Sequence, residues 1–208
     1  MIKSKSQLAI LLSRLAGFDN SKLKLGREQY ATDSEAAAEA LWFAYMSGDI
    51  EGKTVADLGC GTGLLGIGAL LLGAKQAYFI DNDEEALATC EKNISAAAVD
   101  LAAKAAVVNC DIAEFKQQVD TVVQNPPFGT KVKHADREFL QQALKAARVV
   151  YSMHKIETAG FVKKFASTNR FVVTNILPLR LQLKATYAFH KSRMKRIDIG
   201  LFRIEKVH

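Results

Sequence analysis

Asn125-Pro126-Pro127-Phe128 is the stretch of this 208-residue sequence that speaks most directly of chemistry. Each proline disfavours the helical region for its predecessor, so Asn125 and Pro126 are held extended. Proline also lacks a backbone donor, so the turn offers acceptors only: the Asn125 amide oxygen and the Pro126 carbonyl. Two acceptors in a fixed fork suit an –NH2 group on a planar ring. Binding both hydrogens localises the nitrogen lone pair and turns it toward an electrophile. Phe128 can stack on the ring, as aromatic side chains do on an extruded base. No general base is required before attack, because the alkylated cation that forms is a strong acid. Catalysis then rests on positioning and on stabilising that cation. The purely structural reading of the same residues is a proline turn with Phe128 capping the core.

A second group lies nearer the start. Asp57-Leu58-Gly59-Cys60-Gly61-Thr62-Gly63 follows an apolar run and leads into a helix opened by Leu64. Glycines there permit positive φ and let backbone amides approach a ligand closely. Gly61 to Gly66 also satisfies GxGxxG, which alone is weak support for a nicotinamide cofactor. Asp57 and the tighter glycine spacing favour a different ligand. Asp81, followed by Asn82, ends the second strand and offers two carboxylate oxygens to a vicinal diol. Asp111, followed by Ile112, ends the third and suits an adenine amine. An acid after a strand is often just a helix cap, although Asn82 and Asp83 stand ready to relieve Asp81 of that duty. The glycine loop resembles the first motif of the Rossmann-like S-adenosylmethionine (SAM) methyltransferases. NPPF resembles the turn of those that methylate adenine N6, guanine N2 or a glutamine amide, with a methyl sulfonium as electrophile. The turn itself leaves those three acceptors open.

These residues need a frame. Strands are expected at Thr54–Leu58, Gln76–Asp81, Ala105–Cys110, Val119–Gln124 and Val149–His154. Helices are expected from about Leu64 to Leu72, Glu84 to Ala97 and Asp136 to Ala147, with another after His154. The last forty residues alternate polar and apolar positions, as antiparallel strands do. Alternating strands and helices imply right-handed crossovers and an α/β doubly wound sheet, mainly parallel, with antiparallel C-terminal strands. Ligands bind such sheets at the C-terminal strand ends, where every residue named above falls. A single methyltransferase domain over 1–208 is expected, with a helical lead over 1–50 and the Rossmann-like core over 51–208. Leu8, Leu11, Leu12 and Leu15 recur at helical spacing in that lead.

Composition narrows the setting. Half the residues are apolar and a quarter charged, which excludes a disordered chain, and much of the apolar share is alanine, suited to helix surfaces and close packing. The net charge of +6 is unevenly spread: residues 1–128 hold 11 basic and 17 acidic side chains, residues 129–208 hold 17 and 5. Clustered Lys and Arg point to a polyanion, or simply to a solvated basic surface. Cys60, Cys90 and Cys110 form no CxxC pair, so neither a metal site nor a disulfide framework is expected, and the thiols read as buried and inert. The longest uncharged run, Leu58–Ala74, contains six glycines and is no membrane span; a cytoplasmic protein is expected.

Two further stretches carry a closer resemblance. Glu28-Gln29-Tyr30-Ala31-Thr32 resembles an EQYxT signature, and Gly129 to Leu140 resembles the loop after NPPF in the same proteins. With the DLGCGTG loop, these are similar to the methyltransferase-like protein five family, archaeal and eukaryotic enzymes forming N6-methyladenosine in small-subunit ribosomal RNA. The resemblance implies SAM held by Gln29, Tyr30, Thr32, Asp57, Gly59, Gly61, Gly63, Leu64, Asp81, Asn82, Asp111, Ile112 and Asn125. It puts the target adenine on Asn125, Pro126, Pro127 and Phe128. Ala31 stands where proline is common in that family. RNA contacts are expected at Lys131, Lys133 and His134 beside the turn, and at Arg193, Lys195 and Arg196 between the last strands; both basic clusters would also suit solvated loops. The family also implies a small zinc-ribbon activator protein pairing with the edge strand at 105–110. Methylation of another sp² amine (guanine N2, DNA adenine or a release-factor glutamine) is the alternative, and a non-catalytic RNA-binding scaffold is the reading from another class.

Overall fold

A computed structural model describes residues 2–17, 32–97, 99–127, 135–183 and 195–207. Its helices are α1 (Lys5–Leu12), α2 (Ser34–Met46), α3 (Leu64–Leu71), α4 (Glu84–Ala97), α5 (Ala135–Ala146) and α6 (Ala159–Thr168). Its strands are β1 (Thr54–Leu58), β2 (Gln76–Asp81), β3 (Ala105–Asn109), β4 (Val119–Gln124), β5 (Ala147–Lys155), β6 (Phe171–Leu183) and β7 (Lys195–Lys206). The sheet order is β3-β2-β1-β4-β5-β7-β6. β1 to β5 pair in parallel, and β7 lies antiparallel between β5 and β6. Strand order reverses between β1 and β4, so the loops after these two strands part to opposite faces and leave a crevice.

β1 and β4 are buried almost throughout, as strands covered on both faces must be. One apolar cluster joins α1, α2, α3 and α4 to one face, with Leu8, Leu12, Leu41, Ile67, Leu70 and Phe79 at its centre. A second joins α5 and α6 to the other face around Leu140, Leu144, Val162 and Phe202. Alanine does more here than line helix surfaces. Ala36, Ala37, Ala38, Ala40 and Ala44 are all buried in α2, which packs so closely on α3 that a Cβ at Gly68 would stand 2.3 Å from Leu41 Cδ1.

Three boundaries differ from expectation. β3 stops at Asn109, the last residue paired with β2 (opposite Asp81), although the Cys110 N–H still donates to the Asp81 carbonyl at 3.1 Å. α5 passes into β5 without a loop, since Ala147 already pairs with Val119 at the start of β4. α1 ends at Leu12, so Leu15 lies beyond it although partly buried in the same cluster. β3 is an edge strand, as expected, and β6 is the other. Pro178 sits within β6, where an edge tolerates a missing donor. No described helix is long and apolar enough to cross a membrane.

Candidate active site

The loop after β1 takes positive φ at Gly59 (69°), Gly61 (52°) and Gly63 (87°). The amides of Gly59 and Cys60 both donate to the Ile80 carbonyl, at 2.8 and 2.9 Å, pinning the loop to the end of β2. A Cβ at Gly59 would stand 2.7 Å from Phe139 Cε1 on α5, and one at Gly63 would stand 2.5 Å from Cys90 Sγ on α4. Glycine is therefore demanded here by backbone conformation and by neighbours on both faces.

Gly63 is the N-cap of α3 and has no side chain to satisfy the helix's first amides. Asp57 supplies what is missing: its Oδ2 accepts from Gly66 N at 2.8 Å. Burial pushes the Asp57 carboxyl up to about 7, against the pull of the Gly66 amide and with the help of the nearby Asp81 charge. Its observed contact is thus with the first turn of α3, just past the loop it precedes.

Asp81 braces the same loop, Oδ2 accepting from Gly61 N at 2.8 Å and Oδ1 from Asp83 N at 3.0 Å. Capping of α4 falls to Asp83, whose Oδ1 accepts from Glu85 N and Ala86 N at 3.1 and 3.4 Å. Asp81 is left half-buried with further lone pairs, and Asn82 beside it is exposed. Asp111 is exposed and caps a short 3₁₀ turn, Ile112–Glu114, accepting from Ala113 N at 2.9 Å. Leu64 and Ile112 are half-buried at the same end of the sheet.

Register puts Gln124 opposite Leu58, so Asn125 emerges beside Gly59 across the crevice. Its Nδ2 donates to Thr32 Oγ1 at 2.8 Å, while its Oδ1 is buried with no partner. Pro126 is buried and Pro127 half-buried. Phe128, Gln29, Tyr30, Lys131, Lys133, His134 and Arg193 lie outside the described residues. Lys195 and Arg196 open β7 opposite Leu183 and Gln182. β5 ends at Lys155 opposite Ile199, and the β6–β7 pair runs on past it at the end of the sheet that carries Asn125.

Two groups at this site were not anticipated from sequence. Asn93 on α4 is 3 % exposed and holds the helical lead to the glycine loop. Its Nδ2 donates to the Ala16 and Thr62 carbonyls, each at 2.9 Å, and its Oδ1 accepts from Ala16 N at 2.8 Å. The available signal was a lone amide next to Ile94 on an otherwise apolar helix face. Behind the turn, Gln124 Nε2 donates to Ser152 Oγ at 2.9 Å, and Ser152 Oγ lies 2.7 Å from His154 Nε2. His154 is buried with its ring edge-on to Phe202, and burial lowers it to about 4, so the ring is neutral. Gln124 Oε1 is also buried without a partner, and Gln124 lines a small cavity with Ala40, Leu41, Leu65 and Met153. Of the three thiols, Cys60 and Cys90 are buried, and burial with the neighbouring Cys90 pushes the Cys60 thiol well up; Cys110 is only half-buried.

A Gly-lined cradle, a carboxylate with spare lone pairs and an amide oxygen awaiting a donor fit a nucleoside cofactor and an amine, with no nucleophile or hydride partner among them. The methyltransferase small domain family matches residues 31–154, which fixes the class as a Rossmann-like methyltransferase. Full-length similarity is narrower. The rRNA N(6)-adenosine-methyltransferase METTL5 of Danio rerio is 36 % identical over 95 % of this chain and 96 % of its own. The Drosophila melanogaster protein of the same name is 37 % identical over 93 % and 92 %. A crystal structure from Pyrococcus horikoshii, PH1948, described as a candidate RNA methyltransferase, superposes with a TM-score of 0.91 at 43 % identity, covering all of both chains. The chain belongs to the METTL5 family of methyltransferases.

Proposed function

We propose that this protein methylates N6 of an adenosine in ribosomal RNA, in the small subunit. One observation carries the reading. Asn125 keeps its amide nitrogen committed to Thr32 and its amide oxygen buried and unpaired. A buried acceptor without a donor is unfavourable by about 1–3 kcal/mol, and an incoming exocyclic amine relieves it. Bound SAM supplies an electrophilic methyl group. Gly59, Gly61 and Gly63 shape the cradle for it, Asp81 meets its ribose hydroxyls and Asp111 its adenine. Asn125 Oδ1 and the Pro126 carbonyl take the two hydrogens of the target amine, holding its lone pair in line. Because these groups accept only, they also stabilise the cationic amine formed in the transfer.

The names of the relatives favour adenine over the other sp² amines, and the basic C-terminal portion favours a polyanionic substrate. Lys131, Lys133, His134, Arg193, Lys195 and Arg196 are assigned to phosphate. The open edge of β3 is assigned to a small zinc-ribbon activator, pairing as an added strand. A ribosomal RNA substrate places the protein in the cytoplasm. Asn125→Ala tests the reading: single-turnover methylation is expected to fall at least a hundredfold, with SAM affinity within about threefold of the parent. Full activity in that variant contradicts it.

A further inference from the structure

We infer that Thr32 is a positioning residue that sets which way the Asn125 amide faces. The inference rests on the reading of Asn125 as acceptor for the target amine. A primary amide fits its space almost equally well in two orientations related by a half-turn about χ2. They are chemically opposite, since one presents an acceptor and the other two donors. Only the first can take hydrogens from an amine. Something outside the NPPF turn must choose, because neither Pro126 nor Pro127 has an N–H to pair with the amide oxygen.

Thr32 is placed to make that choice. It comes from a distant part of the chain, 93 residues from Asn125, and its Oγ1 accepts from Asn125 Nδ2 at 2.8 Å. Its own position is fixed by the helix that begins two residues later. Asp33 is the N-cap of α2, accepting from Ala36 N at 2.9 Å, and α2 is anchored by a buried face of alanines and Leu41. In the observed orientation Thr32 takes one amide hydrogen and leaves a single unpaired oxygen in the buried position. In the flipped orientation the hydroxyl would donate to that oxygen instead, and an NH2 with two hydrogens would occupy a position where no described group accepts. Leaving two buried donors unpaired is worse than leaving one acceptor, so the hydroxyl and the dry surroundings together select the productive face. Thr32 thus acts on the reaction through Asn125, whether or not it also touches the cofactor.

The test uses Thr32→Val, which keeps shape and removes the acceptor, Thr32→Ala as a second deletion should the first fail to fold, and Thr32→Ser as the rescue. Single-turnover methylation of ribosomal RNA at saturating SAM is expected to fall at least tenfold in the deletions and to recover within about twofold in Thr32→Ser. Because SAM is saturating, this comparison of rates is independent of any change in SAM affinity. The Asn125 side-chain amide protons, assigned by their loss in Asn125→Ala, are expected to be protected from solvent exchange in the parent and in Thr32→Ser, and unprotected in the deletions. An unchanged rate, unchanged protection, or a loss of SAM affinity with the saturated rate intact would each overturn the inference; the last would make Thr32 a cofactor ligand alone. The exchange measurement needs no RNA. A parent protein that labels no adenosine therefore defeats the proposed substrate while the Asn125 protons still report on Thr32.

Discussion

Single side chains at this site are set by burial more than by exposed charge. Asp57 and His154 titrate in opposite directions from their ordinary values for the same reason: each is deep in the protein and prefers to be neutral. For His154 the folded value near 4 lies below the unfolded 6.5, so the unfolded chain binds the proton first and stability drops as pH falls through that window. For Asp57 the folded value near 7 lies above the unfolded 3.8, so stability drops as pH rises through that window. The two slopes oppose one another between about pH 4 and 6.5, and the parent protein shows little of either. His154→Gln, which keeps a polar partner for Ser152, removes one slope. Relative to the parent, this variant is expected to gain about 2 kcal/mol on going from pH 6.5 to 5. Urea denaturation at the two pH values checks it. A constant difference would mean that His154 titrates normally in the fold.

At the scale of elements, the glycine loop is held by its neighbours, with β2 taking two of its amides, Asp81 a third, Asp57 fixing the first turn of α3 just beyond it, and α5 and α4 pressing on Gly59 and Gly63. Gly59→Ala meets both obstacles, the positive φ and the Phe139 ring. It is expected to lower stability by about 1–2 kcal/mol from the backbone conformation alone, and to weaken SAM binding at least tenfold in calorimetry. Pairing it with Phe139→Ala relieves the ring contact but not the φ, so affinity should recover only in part; full recovery would assign the whole effect to the ring. This is also where legibility from sequence divides. The loop, β1, β2, β4 and α4 could be read because each is a short string whose pattern is local, from Asp57 to Gly63 or from Asp81 to the helix at Glu84. Asp83 as the cap of α4 was readable in the same way. Asn93 reaching Ala16 and Thr62, and Thr32 reaching Asn125, were not. These contacts join residues 77, 31 and 93 positions apart, and nothing local in the string encodes which ones meet. The edges of β3 and β5 slipped because strand ends follow pairing partners rather than composition.

Across the whole molecule, charge is divided at the Asn125–Phe128 turn: the chain is net acidic up to Phe128 and strongly basic after it. The acidic portion carries Asp57 and Asp81, which hold the glycine loop and the first turn of α3, and Asp111. The basic portion contributes β5, β6 and β7, and its β6–β7 pair extends beyond β5 at the end of the sheet where Asn125 sits. If Lys131, Lys133, Arg193, Lys195 and Arg196 each neutralise one phosphate, the logarithm of RNA affinity should fall against the logarithm of salt with a slope of about −3.5 to −4.5. Filter binding over a salt series measures it, and charge removal at Lys195 and Arg196 together should flatten the slope by about 1.5. An affinity indifferent to salt would separate the basic portion from RNA altogether. The central claim is chemical, that Asn125 presents an acceptor to an adenine amine, and its most direct measurement is mass spectrometry of nucleosides from ribosomal RNA incubated with the protein and methyl-labelled SAM. The expected result is label in N6-methyladenosine, absent with Asn125→Ala. Label confined to N2-methylguanosine, or undiminished with Asn125→Ala, would contradict the account.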